Sequence, residues 1–212
     1  MSMLIKIRSK IFVVIVGLFI ITSIIVVSNT IRDIDDSIVR GVTRGNSILD
    51  AIMLAFSFTA DIYPFYFSPL LIISFILLIR HKSRKVGAIL LVTLIIAVFI
   101  TLQLKSLLYI ERPDYSQYLS FKIDDDDTNI FTGSYPSGHA ARSTIFAYII
   151  QYVLPKRRLS MSIWLFPIGV SISRVYVGVH YPTDVIGGIL LGLIIASIFT
   201  KLLKIDKPLL TK

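Results

Sequence analysis

The chain has three histidines in 212 residues, and two of them stand beside residues that can put an imidazole to work. His180 lies in Ser173-Arg174-Val-Tyr-Val-Gly-Val-His180-Tyr-Pro-Thr-Asp184, four residues before an aspartate and six after an arginine. His139 closes Pro136-Ser137-Gly138-His139, and further upstream Lys105 and Arg112 frame Lys105-Ser-Leu-Leu-Tyr-Ile-Glu-Arg112-Pro113. A carboxylate within reach of an imidazole fixes its tautomer and raises its basicity, which suits it to act as nucleophile or base. Lys105, Arg112 and Arg174 are permanent cations, and with the free amides of a helix start they describe a cradle for phosphate oxygens. Two histidines in different surroundings can then divide the roles of nucleophile and acid. One carboxylate among three cations repels a divalent ion, so no metal is expected.

Each motif also has a plainer reading. Lys105 and Arg112 are seven apart, close to two helical turns, so the spacing predicts one shared helix face before Pro113 stops the helix. As an isolated pair they would equally suit basic side chains snorkelling from a helix end. Ser137 is a good N-cap and Gly138 lets backbone approach a ligand closely, yet a capped helix start needs no ligand. Thr183, after Pro182, reads as the N-cap of the last helix. Arg142, one turn beyond His139, either reaches the same site or pairs with a loop acid. His81 sits among Arg and Lys in a loop and reads as solvated.

The elements that position these residues are apolar. The chain is 55% hydrophobic and 17% charged, with a mean hydropathy of +0.79, which is too apolar for a soluble domain and indicates a membrane protein. About twenty apolar residues cross a bilayer as a helix. Six such segments are expected: Lys10 to Ser28, Ile62 to Ile79, Val86 to Leu108, His139 to Leu154, Leu159 to Tyr176 and Thr183 to Leu203. The fold class is therefore all-α, a polytopic membrane bundle of six transmembrane helices. The N-terminus, Arg80 to Lys85, Pro155 to Arg158 and the C-terminal tail carry 3, 4, 3 and 4 of the 22 basic residues, with Asp206 as their one acid. By the positive-inside rule both termini are cytoplasmic, and every candidate above falls on the extracytoplasmic side.

No repeat, linker or second domain interrupts residues 1–212. The first 61 residues read as a retained signal-anchor span plus an interfacial or re-entrant helix, the latter serving as packing without chemistry. There is no cysteine, so thiol catalysis, disulfides and thiolate metal sites are excluded. The net charge of +9 lies in short loops and not on a basic face with interleaved aromatics, so nucleic acid is not an expected partner. Asp124 to Asp127 read as a solvated acidic loop. Gly188 and Gly192 fit a close helix contact inside the monomer, and Tyr63, Tyr66, Tyr109 and Trp164 fit interfacial anchors.

The ordered set Lys-x6-Arg-Pro, Pro-Ser-Gly-His and Ser-Arg-x5-His-x3-Asp resembles the type 2 phosphatidic acid phosphatase (PAP2) superfamily of membrane lipid phosphatases. The resemblance covers residues 62 to 203 and no motif position departs from it. It implies that His180 attacks phosphorus to form a phosphohistidine, with Asp184 orienting its ring. It further implies that His139 protonates the leaving oxygen, and that Lys105, Arg112, Arg174, Ser137 and the Gly138 amide hold the phosphoryl group. No cofactor is implied. The implied partner is a lipid phosphate within the bilayer, first a polyprenyl (undecaprenyl or dolichyl) diphosphate, then phosphatidic acid or phosphatidylglycerol phosphate. A catalytically silent lipid-phosphate binding or transport protein would need the cations but neither the His180/Asp184 pair nor His139.

Overall fold

The computed structural model describes residues 2–43, 46–60, 68–113, 133–151, 154 and 157–202. Among them there is no strand, and the helices are α1 (Ser2–Val27), α2 (Arg32–Val42), α3 (Ser47–Thr59), α4 (Pro69–Ile79), α5 (Arg84–Leu108), α6 (Gly138–Ile150), α7 (Arg157–Ser162), α8 (Leu165–Tyr176) and α9 (Pro182–Leu202). Among the described residues, four helical stretches are long and apolar enough to cross a membrane: Ser9–Val27, Arg84–Leu108, Arg158–Tyr176 and Pro182–Leu202. The third of these bends at a turn over Ile163 and Trp164, which separates α7 from α8.

The other two expected spans are shorter. Helices α4 and α6 have 11 and 13 residues, about 17 and 20 Å at 1.5 Å per residue, against a hydrocarbon core of roughly 30 Å. The start of the second expected span, with Tyr63 and Tyr66, lies outside the described residues, as do Asp124 to Asp127.

Burial explains why α6 can be short. Nearly all of its residues are buried, because it packs against α5, α8 and α9. Its apolar side joins a core of Leu90, Leu94 and Ala97 from α5, Val170 from α8, and Leu191 and Ile195 from α9. The lipid-facing helices show the opposite pattern. Ile11, Val13, Val14, Ile20, Ile21 and Ile24 of α1 are exposed, as expected where the surrounding solvent is hydrocarbon.

The most extensive helix contact is α6 on α9. A Cβ at Gly188 would collide with the Ser137 carbonyl oxygen, and one at Gly192 would lie 2.6 Å from the Ala141 carbonyl oxygen. Both obstacles are backbone, so neither can yield, and the small-xxx-small spacing does place a helix contact within the monomer.

Residues 29–60 differ from the single packing helix expected. They form two helices, α2 and α3, docked on α8 and α9. Asn46 caps α3 by accepting from the Leu49 amide, and its own amide donates to Asp50 Oδ1 at 3.3 Å. Asp50 is fully buried and also accepts from the Tyr176 hydroxyl at 2.7 Å. Thr43, after α2, donates to the Tyr176 carbonyl at 2.9 Å. Both helices are thus bonded to the end of α8 that carries Arg174.

Candidate active site

Helix α9 begins with Pro182 at its first position, where a missing N–H costs nothing. This displaces Thr183 from the N-cap role expected for it. The cap falls on Tyr181, whose amide donates to Asp184 Oδ2 at 2.8 Å, so the acid three residues in reaches back as in a capping box. Thr183 instead donates its hydroxyl to Asp35 Oδ2 of α2. Asp184 is fully buried, and Oδ1 accepts from Ser134 Oγ at 3.3 Å. Its second oxygen also faces His180 Nδ1 at 3.4 Å. That distance is loose for a hydrogen bond, as in many sites before substrate arrives. With Nδ1 directed at Asp184, Nε2 is the ring nitrogen left to react.

The His139 turn is fixed by the same helix. Ser137 caps α6, its Oγ accepting from the Ala140 amide, while the Ser137 amide donates to the Asp184 carbonyl at 2.9 Å. The starts of α6 and α9 are therefore joined through backbone. Gly138 is the first residue of α6, and a Cβ on it would lie 2.8 Å from Arg142 Nη1.

Lys105 is buried in the last turn of α5. Arg112 does not share its helix face, contrary to the spacing argument. Tyr109 adopts a left-handed conformation (φ 46°) that ends the helix at Leu108, and a residue preceding proline is steered out of the helical region. Residues 109–113 leave the helix, and the Ile110 carbonyl accepts from the Ser134 amide at 2.7 Å. Arg112 reaches the site by that route. Its Nε and Nη1 are buried and have no hydrogen-bond partner among the described residues.

Arg174, buried at the end of α8, donates through Nη1 to Ser57 Oγ of α3. Arg142, buried on α6, donates through Nε to the Ala60 carbonyl at 2.9 Å, beyond the end of α3. The Arg32 guanidinium lies 3.9 Å above the Tyr181 ring and donates to the Glu111 carbonyl at 3.1 Å. The hydroxyls of the buried Tyr135 and of Ser23 share a 2.8 Å hydrogen bond, which ties α1 to the segment before Ser137. Burial holds the Tyr135 phenol up at about 12, so it stays neutral.

All the expected residues meet. Arg112, Lys105, Arg174 and His139 act electrostatically on His180, and Arg174, Arg142, Lys105 and Arg112 act on His139. Burial first, and then those cations, push the His180 imidazole well below its usual range, so the ring is neutral and its lone pair available. Among the described residues no three His, Asp or Glu side chains gather as ligands for a metal ion.

Several contributors were not foreseen from sequence: Asp35, Asp50, Ser57, Ser134, Arg32 and the Ala60 carbonyl. The available signal was acids placed in or beside apolar runs, Asp50 within Ile48 to Phe58 and Asp35 in a segment that alternates charge with Ile and Val. Trp164, expected as an interfacial anchor, donates Nε1 to Gln151 at 3.3 Å, whereas Tyr109 is exposed.

This is an integral membrane helical protein in which two histidines, an aspartate and buried cations gather at one end of the bundle. The chain belongs to the PAP2 superfamily, whose family model matches residues 86–206. It is 35% identical over 123 residues to an undecaprenyl-diphosphatase of Sulfolobus acidocaldarius, covering 55% of each chain. The chain thus spans about half the length of that relative. It is 26% identical over 175 residues to the undecaprenyl-diphosphatase BcrC of Bacillus subtilis, covering 80% of this chain and 83% of that one. Among solved structures, a PAP2-type phosphatidylglycerolphosphate phosphatase from Bacillus subtilis superposes with a TM-score of 0.75 at 23% identity, over 92% of this chain and 97% of the other. That likeness establishes the fold.

Proposed function

We propose that the protein is a metal-independent membrane lipid phosphatase working through a phosphohistidine. The observation that carries this reading is Arg112: buried guanidinium N–H groups with no hydrogen-bond partner among the described residues are costly unless an anion satisfies them. They stand in the pocket with Lys105, Arg174 and the start of α6. A phosphoryl group held there by Lys105, Arg112, Arg174, Ser137 and the Gly138 amide lies before His180 Nε2. His180 attacks phosphorus and Asp184 stabilises the imidazolium that forms. His139 donates a proton to the leaving oxygen and then assists the water that cleaves the phosphorus–nitrogen bond. The cations offset charge that builds on the equatorial oxygens, so catalysis is positioning and electrostatics.

The substrate is a lipid phosphate or diphosphate drawn from the bilayer, with polyprenyl diphosphate first and phosphatidic acid or phosphatidylglycerol phosphate second. The two undecaprenyl-diphosphatase relatives support that order. The chain forms one membrane domain with six spans, α4 and α6 serving as the short ones, both termini cytoplasmic and the site facing outward.

Phosphate release from these lipids in detergent tests the reading. His180→Ala is expected to abolish turnover and excess EDTA to leave it unchanged. Wild-type rates in the variant would refute the nucleophile, and loss of activity in EDTA would refute the metal-free mechanism.

A further inference from the structure

Four cations surround the two histidines, and one of them, Arg142, belongs to none of the three motifs. It stands three residues after His139 on α6, on the same helix face, and its Nη1 lies beside Gly138. The bond from Nε to the Ala60 carbonyl sets the direction of the guanidinium. Its influence is uneven. Around His139 the strongest neighbouring charges are Arg174 and then Arg142, whereas around His180 they are Arg112 and Lys105. With Nη1 beside Gly138 and its Cα one turn from His139, Arg142 stands on the α6 side of the site, next to the histidine that meets the departing group in the proposed mechanism.

What departs depends on the substrate. From a lipid monophosphate the leaving oxygen belongs to an alcohol, which needs a proton and carries no lasting charge. From a lipid diphosphate the leaving group is itself a phosphate, which keeps its negative charge and gains more as the bridging bond breaks. A proton donor alone serves the first case, and a fixed cation beside it serves the second.

We propose that Arg142 is a specificity-determining residue that binds the inner phosphate of a lipid diphosphate and stabilises it as the leaving group. This rests on the phosphohistidine reading above. His180 Nε2 forms a bond to the terminal phosphorus, and the bond from that phosphorus to the bridging oxygen breaks. The electron pair goes to the bridging oxygen of the lipid monophosphate, where Arg142 and the proton of His139 meet it. Water then cleaves the phosphorus–nitrogen bond and releases inorganic phosphate.

The test compares kcat/KM on the diphosphate and monophosphate of one polyprenol for wild type, Arg142→Gln and Arg142→Lys, with melting temperatures in the same detergent. Arg142→Gln is expected to lose roughly 10- to 100-fold on the diphosphate, as for loss of a charged hydrogen bond, and less than about threefold on the monophosphate. Arg142→Lys keeps the charge but not the planar Nε donor, and is expected to retain most of the preference. Equal losses on both substrates, in both variants, would assign Arg142 to latching α3 and overturn the proposal. A wild type that hydrolyses neither lipid would instead overturn the phosphatase reading on which it stands.

Discussion

The pocket turns on the protonation of one ring. His180 is buried among cations, and burial lowers its proton affinity more than any single neighbour does. An imidazole whose folded pKa lies below its unfolded value supports stability above about pH 6.5 and withdraws that support as the pH falls, because only the unfolded chain then takes the proton. Selectively labelled imidazoles followed by NMR in detergent should show His180 neutral at pH 6. A His180 resonance that titrates near 6.5 would contradict the burial. At this scale the sequence was informative, since all eight expected residues converge. It misplaced Arg112 because a seven-residue spacing assumes an unbroken helix, and nothing in Tyr109 announces a left-handed residue. It also misassigned Thr183, because a threonine after a proline satisfies the N-cap pattern unless an aspartate reaches back to the preceding amide.

At the level of elements, α2 and α3 fix the pocket from outside the three motifs. Ser57 holds Arg174, the Ala60 carbonyl holds Arg142, and Asp35 receives Thr183 at the start of α9. An anion at a helix start is favourable, yet burial raises the Asp35 carboxyl above its ordinary value, with the Thr183 hydrogen bonds opposing. The stability linked to a raised carboxyl is full below about pH 3.8 and is lost as the pH rises through its folded value. Asp35→Asn, which keeps an acceptor for Thr183, should therefore melt no lower than wild type at pH 7. Asp35→Leu should lose about 1–3 kcal/mol through the unpaired hydroxyl. Thermal melts of both variants decide it, and equal destabilisation would show that the charge itself is needed. Sequence periodicity could not reveal this, because partners 148 residues apart, as Asp35 and Thr183 are, leave no local pattern.

For the molecule as a whole, the long apolar helices and the contact between Gly188, Gly192 and α6 were readable, because hydrocarbon surroundings and backbone contact constrain composition strongly. So was a short α6, because His139 to Leu154 is the shortest of the six expected spans; its sheathing by α5, α8 and α9 was not, since a helix buried that way is as apolar as one facing lipid. Orientation can be checked on the natural background, because the chain lacks cysteine. His81→Cys and Arg40→Cys lie at exposed positions. In intact cells a membrane-impermeant maleimide is expected to label the second and not the first. The reverse pattern would invert the topology and put the pocket in the cytoplasm.

The hydrogen bond between Ser23 and Tyr135 is a mechanical link from the most exposed apolar helix to the segment that leads into the site. Helix α1 leaves most of its apolar surface uncovered by the rest of the protein, so in a bilayer its tilt would follow the membrane's thickness. Tyr135 sits between that helix and the start of α6, its ring also filling the space beside Gly187 of α9. A change of tilt at Ser23 would thus be delivered two residues from Ser137, at the residue that joins α1 to the start of α6.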